Sequence, residues 1–389
     1  MARASVLIGF GDALAAPEVA ISLLDSGYHV TGFVRRGQPV ALSRLPGVEL
    51  VPVTSPERDL DACLAEVAAL ASRHDVTMPL NDVAVLVCDR ALEPSSVVAG
   101  PRGDQARLAL DKRLQLRSAE AAGLAVPEWV ETRPDDPIPE GWPAPLIMKP
   151  AMAVEETGTG TRRLSPRLVS TRAEMDAAWQ RWGETTPVIL QRWVQGSGAG
   201  VFGLAGPGGV HHLSAHRRVR MMNPAGSGSS ACTSVPVPDE LVGAVNRFMT
   251  DAAWQGMFMI ELLRSGSTHW FMELNGRAWG SLALSRRLGF EYPAWAVAQA
   301  LDPDTALPDA PPFRDMLCRN LGRELIHLSF ILRGPRSNAE HWPSRRATVR
   351  ALLRQPPETT WYNLAPGRRR LFLYDAWRTV ADQTWAKGR

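Results

Sequence analysis

The chain has 389 residues, with 43 lysines and arginines against 40 aspartates and glutamates, a formal charge of +3 and 45% apolar residues. That length exceeds one small core and sets an expectation of two to four subdomains. The near-neutral balance leaves no electrostatic footprint for nucleic acid or a membrane surface, and no run approaches the ~18 apolar residues of a spanning helix.

In chain order, "SVLIGFG", the helical pattern "APEVAISLLDSG" and "HVTGFV" read as a strand, a helix and a second strand. A dinucleotide fingerprint fails here. Gly9 and Gly11 fit GxGxxG, but Leu14 holds the third position, and Arg35 and Arg36 stand where an acidic residue would end the second strand. "VELVPV", a helix near Asp59 to Arg73 and "VTMPLND" complete a small parallel sheet closing near residue 105. Residues 105–123 predict one helix or two short ones, ended by Gly123. A proline-rich turn leads to the strand "PLIMKP", a small-residue loop "EETGTGTRRL" and a helix with Ser170 or Thr171 as N-cap and Glu174 in its first turn. The strands "PVILQRWV" and "HHLSAHRRVRMM", the loop "NPAGSGSSACT" and a helix from Pro238 to Trp254 follow.

Only three of the basic residues are lysines: Lys112, Lys149 and Lys387. Arginine is a broad planar fork and lysine a compact point charge, so a lysine kept inside an arginine-rich chain marks a position where the compact charge matters. Codon bias alone would also produce the scarcity. Cys63, Cys88, Cys232 and Cys318 have no CxxC spacing, so reduced thiols are expected. "MARASVLIGFGD" carries too short an apolar stretch for a secretory signal, and the expected location is cytoplasmic.

"GMFMIELL", "RSGST" and "HWFMELN" predict a β-hairpin. Centring its loop on Ser267 sets Glu261 opposite Glu273 and Met259 opposite Asn275, with Trp270, Met272 and Leu274 on the other, apolar face. Two carboxylates directly opposed, with Cβ atoms ~5 Å apart, repel. A solvated sheet face would tolerate them, and a cation would remove the conflict. Carboxylates with an amide oxygen are hard ligands suited to magnesium.

"IELL…FMELNGR", with "DK" at Lys112 and "IMKP" at Lys149, resembles the ATP-grasp enzymes, most closely their carbamoyl-phosphate-synthetase-like and carboxylate–amine ligase branches. The resemblance covers roughly residues 105 to 300. It implies an α/β chain with an ATP-grasp fold. Residues 1–105 would be a Rossmann-like domain preceding the grasp, 106–194 a linker helix and lid, 195–300 the catalytic subdomain, and 301–389 a mostly helical appendage. It implies that Glu261, Glu273 and Asn275 bind magnesium, two ions or manganese in their place. Lys112, Lys149, Glu261 and Glu273 would contact the nucleotide, and the backbone from Gln191 through Arg192 and Trp193 to Val194 would hold the adenine. Arg192 departs from the acidic residue usual at its position.

The function that this resemblance implies is ATP-dependent activation of a carboxylate as an acyl phosphate and its coupling to an amine, amino acids or peptides among the substrates. Arg277 and Arg220 are the candidates for stabilising the acyl phosphate. The alternatives are a non-amine nucleophile, as in a kinase or carboxylase, and a non-catalytic nucleotide-binding subunit. His211, His212 and His216 lie in a predicted strand rather than on a helix face and carry no nearby Cys or acid pattern, so a zinc site is not expected. The tail, rich in arginine and tryptophan, is expected to dock on the grasp core near the N-terminal domain, walling the acceptor pocket, or on a second subunit as a homodimer.

Overall fold

The computed structural model describes residues 4–134, 136–182, 187–224, 226, 228–335, 342–354, 356 and 358–385. Lys387 lies outside them. The N-terminal strands β1 (Ser5–Gly9), β2 (His29–Arg35), β3 (Val48–Val53) and β4 (Val76–Pro79) form a parallel sheet in the order β3-β2-β1-β4. Helix α1 (Ala16–Asp25) connects β1 to β2, α2 (Leu60–Ala71) connects β3 to β4, and α3 (Asp82–Ala91) follows β4. Such a sheet is buried on both faces, which is why β1 reads as an unbroken apolar run, with Val6, Leu7 and Ile8 fully buried. Caps set the helix starts: Asp59 accepts from Ala62 N and Asn81 from Ala84 N.

The next pattern resolves into two helices, α4 (Asp104–Leu110) and α5 (Lys112–Ala121). The break is Asp111, whose backbone is extended and whose carboxylate caps α5 at Arg113 N. Beyond it the lid strands β5 (Trp129–Thr132), β6 (Leu146–Pro150), β9 (Arg167–Val169) and β10 (Val188–Arg192) form an antiparallel sheet under α6 (Arg172–Trp182). Thr171 accepts from Glu174 N at 3.2 Å while the Glu174 carboxylate accepts from Ser170 N, so both residues of the expected cap take part. The small-residue loop is more ordered than expected: β7 (Glu155–Glu156) and β8 (Thr161–Arg162) pair as a short hairpin.

The largest sheet contains β11 (Ser197–Gly206), β12 (Gly209–Met221), β13 (Ser229–Val235), β14 (Gly256–Ser265) and β15 (Thr268–Asn275), with α7 (Asp239–Asp251), α8 (Leu282–Arg287) and α9 (Tyr292–Leu301). The tail adds β16 (Leu317–Arg319), α10 (Leu321–Arg333), α11 (Arg345–Leu353), β17 (Thr359–Trp361) and α12 (Arg369–Trp385). The sheet order is β15-β14-β11-β12-β13-β16-β17, so the mostly helical tail also extends the central sheet by two strands. It also reaches the N-terminal domain. Asn363 N donates to Glu18 at 2.7 Å, Arg368 pairs with Asp25 at 2.6 Å, and Arg44 lies over the Tyr374 ring. Ile326, Ile331, Tyr362 and Leu371 are buried, and full burial of such a side chain contributes roughly 1.5–3 kcal/mol. Trp377 remains 58% exposed, so docking covers only part of the tail's aromatic surface.

Arg220 takes part in this docking. Its guanidinium pairs with Glu324 at 2.8 Å, and Glu324 also binds Arg319 at 2.9 Å and Ser230 Oγ at 2.7 Å. All three charged side chains are nearly sealed from solvent. Removing one member of a buried set leaves the others uncompensated, at about 3–5 kcal/mol. Glu324→Ala is therefore expected to lower unfolding free energy by that amount in urea titrations. A loss under 1 kcal/mol would mean the cluster is not what joins tail to sheet.

Candidate functional site

The hairpin register is the expected one at its open end. Met259 pairs with Asn275, Ile260 with Leu274 and Glu261 with Glu273. A bulge follows Glu261, after which Leu262 pairs with Phe271. The extra residue turns Phe271 into the core beside Leu274, where alternation had placed Met272 and Trp270.

Across β12, β11, β14 and β15 the register aligns His216, Gly200, Glu261 and Glu273 in one row. β11 clears space for that row by having no side chains there. A Cβ on Gly200 would lie 3.1 Å from His216 Nε2, and one on Gly198 would lie 2.4 Å from Arg218 Cδ. Arg218 therefore crosses β11 and reaches Glu261 at 2.6 Å. Alternation alone would set Arg220 on the same face as Arg218. A register shift between them in the β12–β13 ladder separates them, so Arg218 lines the cavity and Arg220 joins Glu324.

The cavity has a volume of about 440 Å³. Its lining includes Glu261, Glu273, Asn275, Arg277, Arg218 and His216, together with Asp12 and Asn81 of the N-terminal domain, Arg163 of the lid, and Arg323 and Tyr362 of the tail. Burial pushes the Glu261 carboxyl above its usual range and Glu273 adds to the effect, against the pull of Arg218. Asn275 Nδ2 donates to Glu273 at 3.3 Å. The two glutamates and the amide are a partial set of hard oxygen ligands with an unresolved like-charge conflict, which suits a magnesium ion that completes its shell from phosphates and water. Among the described residues no group of three or more His, Cys, Asp and Glu side chains is placed to hold a metal.

Arg277 Nε donates to Asp82 Oδ1 at 2.9 Å, and Arg163 pairs with Asp82 Oδ2 at 2.7 Å. Burial alone would raise the Asp82 carboxyl, but Arg277 and Arg163, with Lys112 behind them, hold it below the usual range. One N-terminal carboxylate thus pairs with both the arginine that follows β15 and Arg163 beyond the β7–β8 hairpin. The lid hairpin also rests on the N-terminal domain, with Leu60 N donating to Thr159 O at 3.0 Å and Thr161 N to Pro56 O at 2.8 Å.

Lys149 on β6 is 4% exposed and donates to Gln191 Oε1 at 2.8 Å. Burial and then the Lys112 charge lower its pKa to about 8, against the pull of Glu273. Lys112 and Glu273 therefore both lie within electrostatic reach of Lys149. Lys112 is held at the start of α5, its backbone N donating to Ala151 O at 2.8 Å, just past the Lys149 strand. Gln191 is buried, Arg192 pairs with Glu128 at 3.0 Å, Trp193 is 42% exposed, and Trp193 and Val194 lie beyond the end of β10.

Asp82, Arg163, Arg218, Arg323 and Tyr362 were not among the sequence candidates. Arg218 was within reach, because alternation from His216 points to it. The others come from segments that only the fold brings together.

No protein-family model matches the sequence, and no curated protein matches it. Solved structures do. An L-amino acid ligase from Bacillus licheniformis is 18% identical, aligned over 77% of this chain and 74% of its own, at a TM-score of 0.60. An N5-carboxyaminoimidazole synthetase from Staphylococcus aureus, complexed with ADP, is 14% identical over 82% and 83%, also at 0.60. The biotin carboxylase domain of the Hydrogenobacter thermophilus 2-oxoglutarate carboxylase, solved with magnesium ADP and bicarbonate, is 14% identical over 79% and 71%, again at 0.60. With a parallel domain leading into an antiparallel lid and a large antiparallel sheet, this chain has the ATP-grasp fold.

Proposed function

We propose that the chain is an ATP-dependent ligase that activates a carboxylate as an acyl phosphate and couples it to an amine, releasing ADP and phosphate. The observation that carries this reading is one cavity joining Glu261, Glu273 and Asn275 to Arg277, with Lys149 close enough for both Glu273 and Lys112 to act on its charge. A non-catalytic subunit would have no need of opposed glutamates that repel in a buried place. Glu261, Glu273 and Asn275 are the residues to hold magnesium, which when bound would neutralise triphosphate charge. Phosphoryl transfer asks mainly for positioning and charge stabilisation. Lys149, oriented by Gln191, presents a compact charge, with Lys112 as its companion. Arg277 is locked by Asp82 and by its bond to Ala278 O at 3.1 Å, so it is preorganised to meet the oxygens of an acyl phosphate.

A carboxylase reading is the competitor, because the biotin carboxylase domain matches at the same TM-score. ADP release measured against a panel of carboxylates, each with and without amines and with bicarbonate, separates the two. Release that requires both a carboxylate and an amine supports the ligase. Release driven by bicarbonate alone supports the carboxylase, and no release on any combination would sink both.

A further inference from the structure

Four guanidiniums line the cavity, and three of them are spoken for. Arg163 and Arg277 pair with Asp82, and Arg218 with Glu261. The fourth, Arg323, comes from the first turn of α10 in the tail and pairs with no carboxylate among the described residues. Its side chain donates to Ser229 O at 3.0 Å. Burial disfavours its protonated form; Tyr362 and the Asp375 carboxylate pull the other way without touching it, and the Arg218 charge adds to the penalty. The site nevertheless makes room for it: a Cβ on Gly228 would lie 2.7 Å from Arg323 Nη1. A guanidinium withdrawn from water with no carboxylate in contact is costly, and a ligand anion that touches it removes that cost.

His216 lines the same cavity and is an independent observation pointing the same way. It is 2% exposed, and neither ring nitrogen has a hydrogen-bond partner. Its ring packs edge-on against Phe202, which stacks on Trp279 with centroids 4.7 Å apart. Burial, then Arg218, lowers its pKa to about 3, so it is a neutral group able to donate one hydrogen bond to a ligand without adding charge. Buried polar groups left unpaired in a folded protein are uncommon, and an unpaired imidazole facing a cavity marks a place for a polar ligand.

We propose that Arg323, with His216 beside it, anchors an anionic group of the substrate, a carboxylate other than the one that is activated. On the ligase reading, on which this rests, at least one substrate is therefore a dicarboxylate or an amino carboxylate, and the tail is part of the substrate site. A planar fork facing a carboxylate matches it with two parallel hydrogen bonds, which an ammonium cannot do.

The test compares wild type with Arg323→Gln and Arg323→Lys. Arg323 keeps its backbone bond to Asn320 Oδ1 in each variant, so the helix start is preserved, and circular dichroism checks the fold. Binding of acetate, glycine, glutamate and succinate, and of their amides, is measured by calorimetry with magnesium ADP present. At least one carboxylate is expected to bind wild type, its amide to bind at least tenfold more weakly, Arg323→Gln to lose the carboxylate tenfold or more, and Arg323→Lys to fall between. Affinity for magnesium ADP is expected to stay within twofold. Equal carboxylate affinity in wild type and Arg323→Gln, no binding of any panel member to wild type, or a loss that falls on magnesium ADP instead would each overturn the assignment. Carboxylate binding that depends on Arg323 without ADP release on any substrate pair would sink the ligase reading and leave the anchor standing.

Discussion

Glu273→Gln is expected to reduce ATP turnover by roughly 100-fold or more, the scale on which a single preorganised electrostatic contact acts in a catalytic site. The glutamine keeps the shape and the neighbouring Asn275 but withdraws the anionic oxygen where metal ions would be shared. Folding should not suffer, because the substitution removes the like charge opposite Glu261. The folded protein holds the Glu261 proton more tightly than the unfolded chain does, since its carboxyl is raised by burial and by Glu273. The folded state therefore binds more protons as pH rises from the ordinary glutamate value through the raised one, and stability falls across that window. Glu273→Gln should shrink this fall as it abolishes turnover. Turnover near the wild-type rate at saturating magnesium would remove Glu273 from the site, and an unchanged pH dependence of the unfolding midpoint would disprove the electrostatic coupling.

Lys149→Arg is expected to cost about tenfold or more in rate although the charge is kept. Lys149 is sealed between β6 and β10 and bonded to Gln191, so a wider fork there displaces whatever the ammonium touches, and displacements of an ångström are costly in preorganised sites. The pH profile separates this from simple loss of fold. With a pKa of about 8 in the free protein, the wild-type lysine loses its charge at mildly alkaline pH, so kcat/KM for ATP should fall above about pH 8. A guanidinium does not titrate there. The variant should be slower throughout yet lack that alkaline limb. An arginine variant as fast as wild type would reduce the scarcity of lysine in this chain to codon usage.

Period and punctuation were enough to read several parts of this protein from its residues alone. The parallel opening follows from apolar runs separated by helical patterns, and the Glu261–Glu273 pairing follows from two apolar strands joined by a short loop, because burying one face leaves a single register. The two lysines stood out because each is a rare residue in an arginine-rich chain. What a side-chain period cannot carry is an irregularity of the backbone or a contact between distant segments. The bulge after Glu261 moved Phe271 into the core, and the register shift past Arg218 sent Arg220 to Glu324. Both are single-residue slips that alternation does not encode. Arg163 and Arg323 meet at one cavity from the lid and the tail, with Asp82 of the N-terminal domain pairing Arg163, and nothing in their own neighbourhoods marks them. Their positions are set by packing energy summed over the tail strands, the Glu18 and Glu324 clusters and the lid hairpin. Tertiary structure alone decided which arginines are paired with carboxylates, and so which one is left for a ligand.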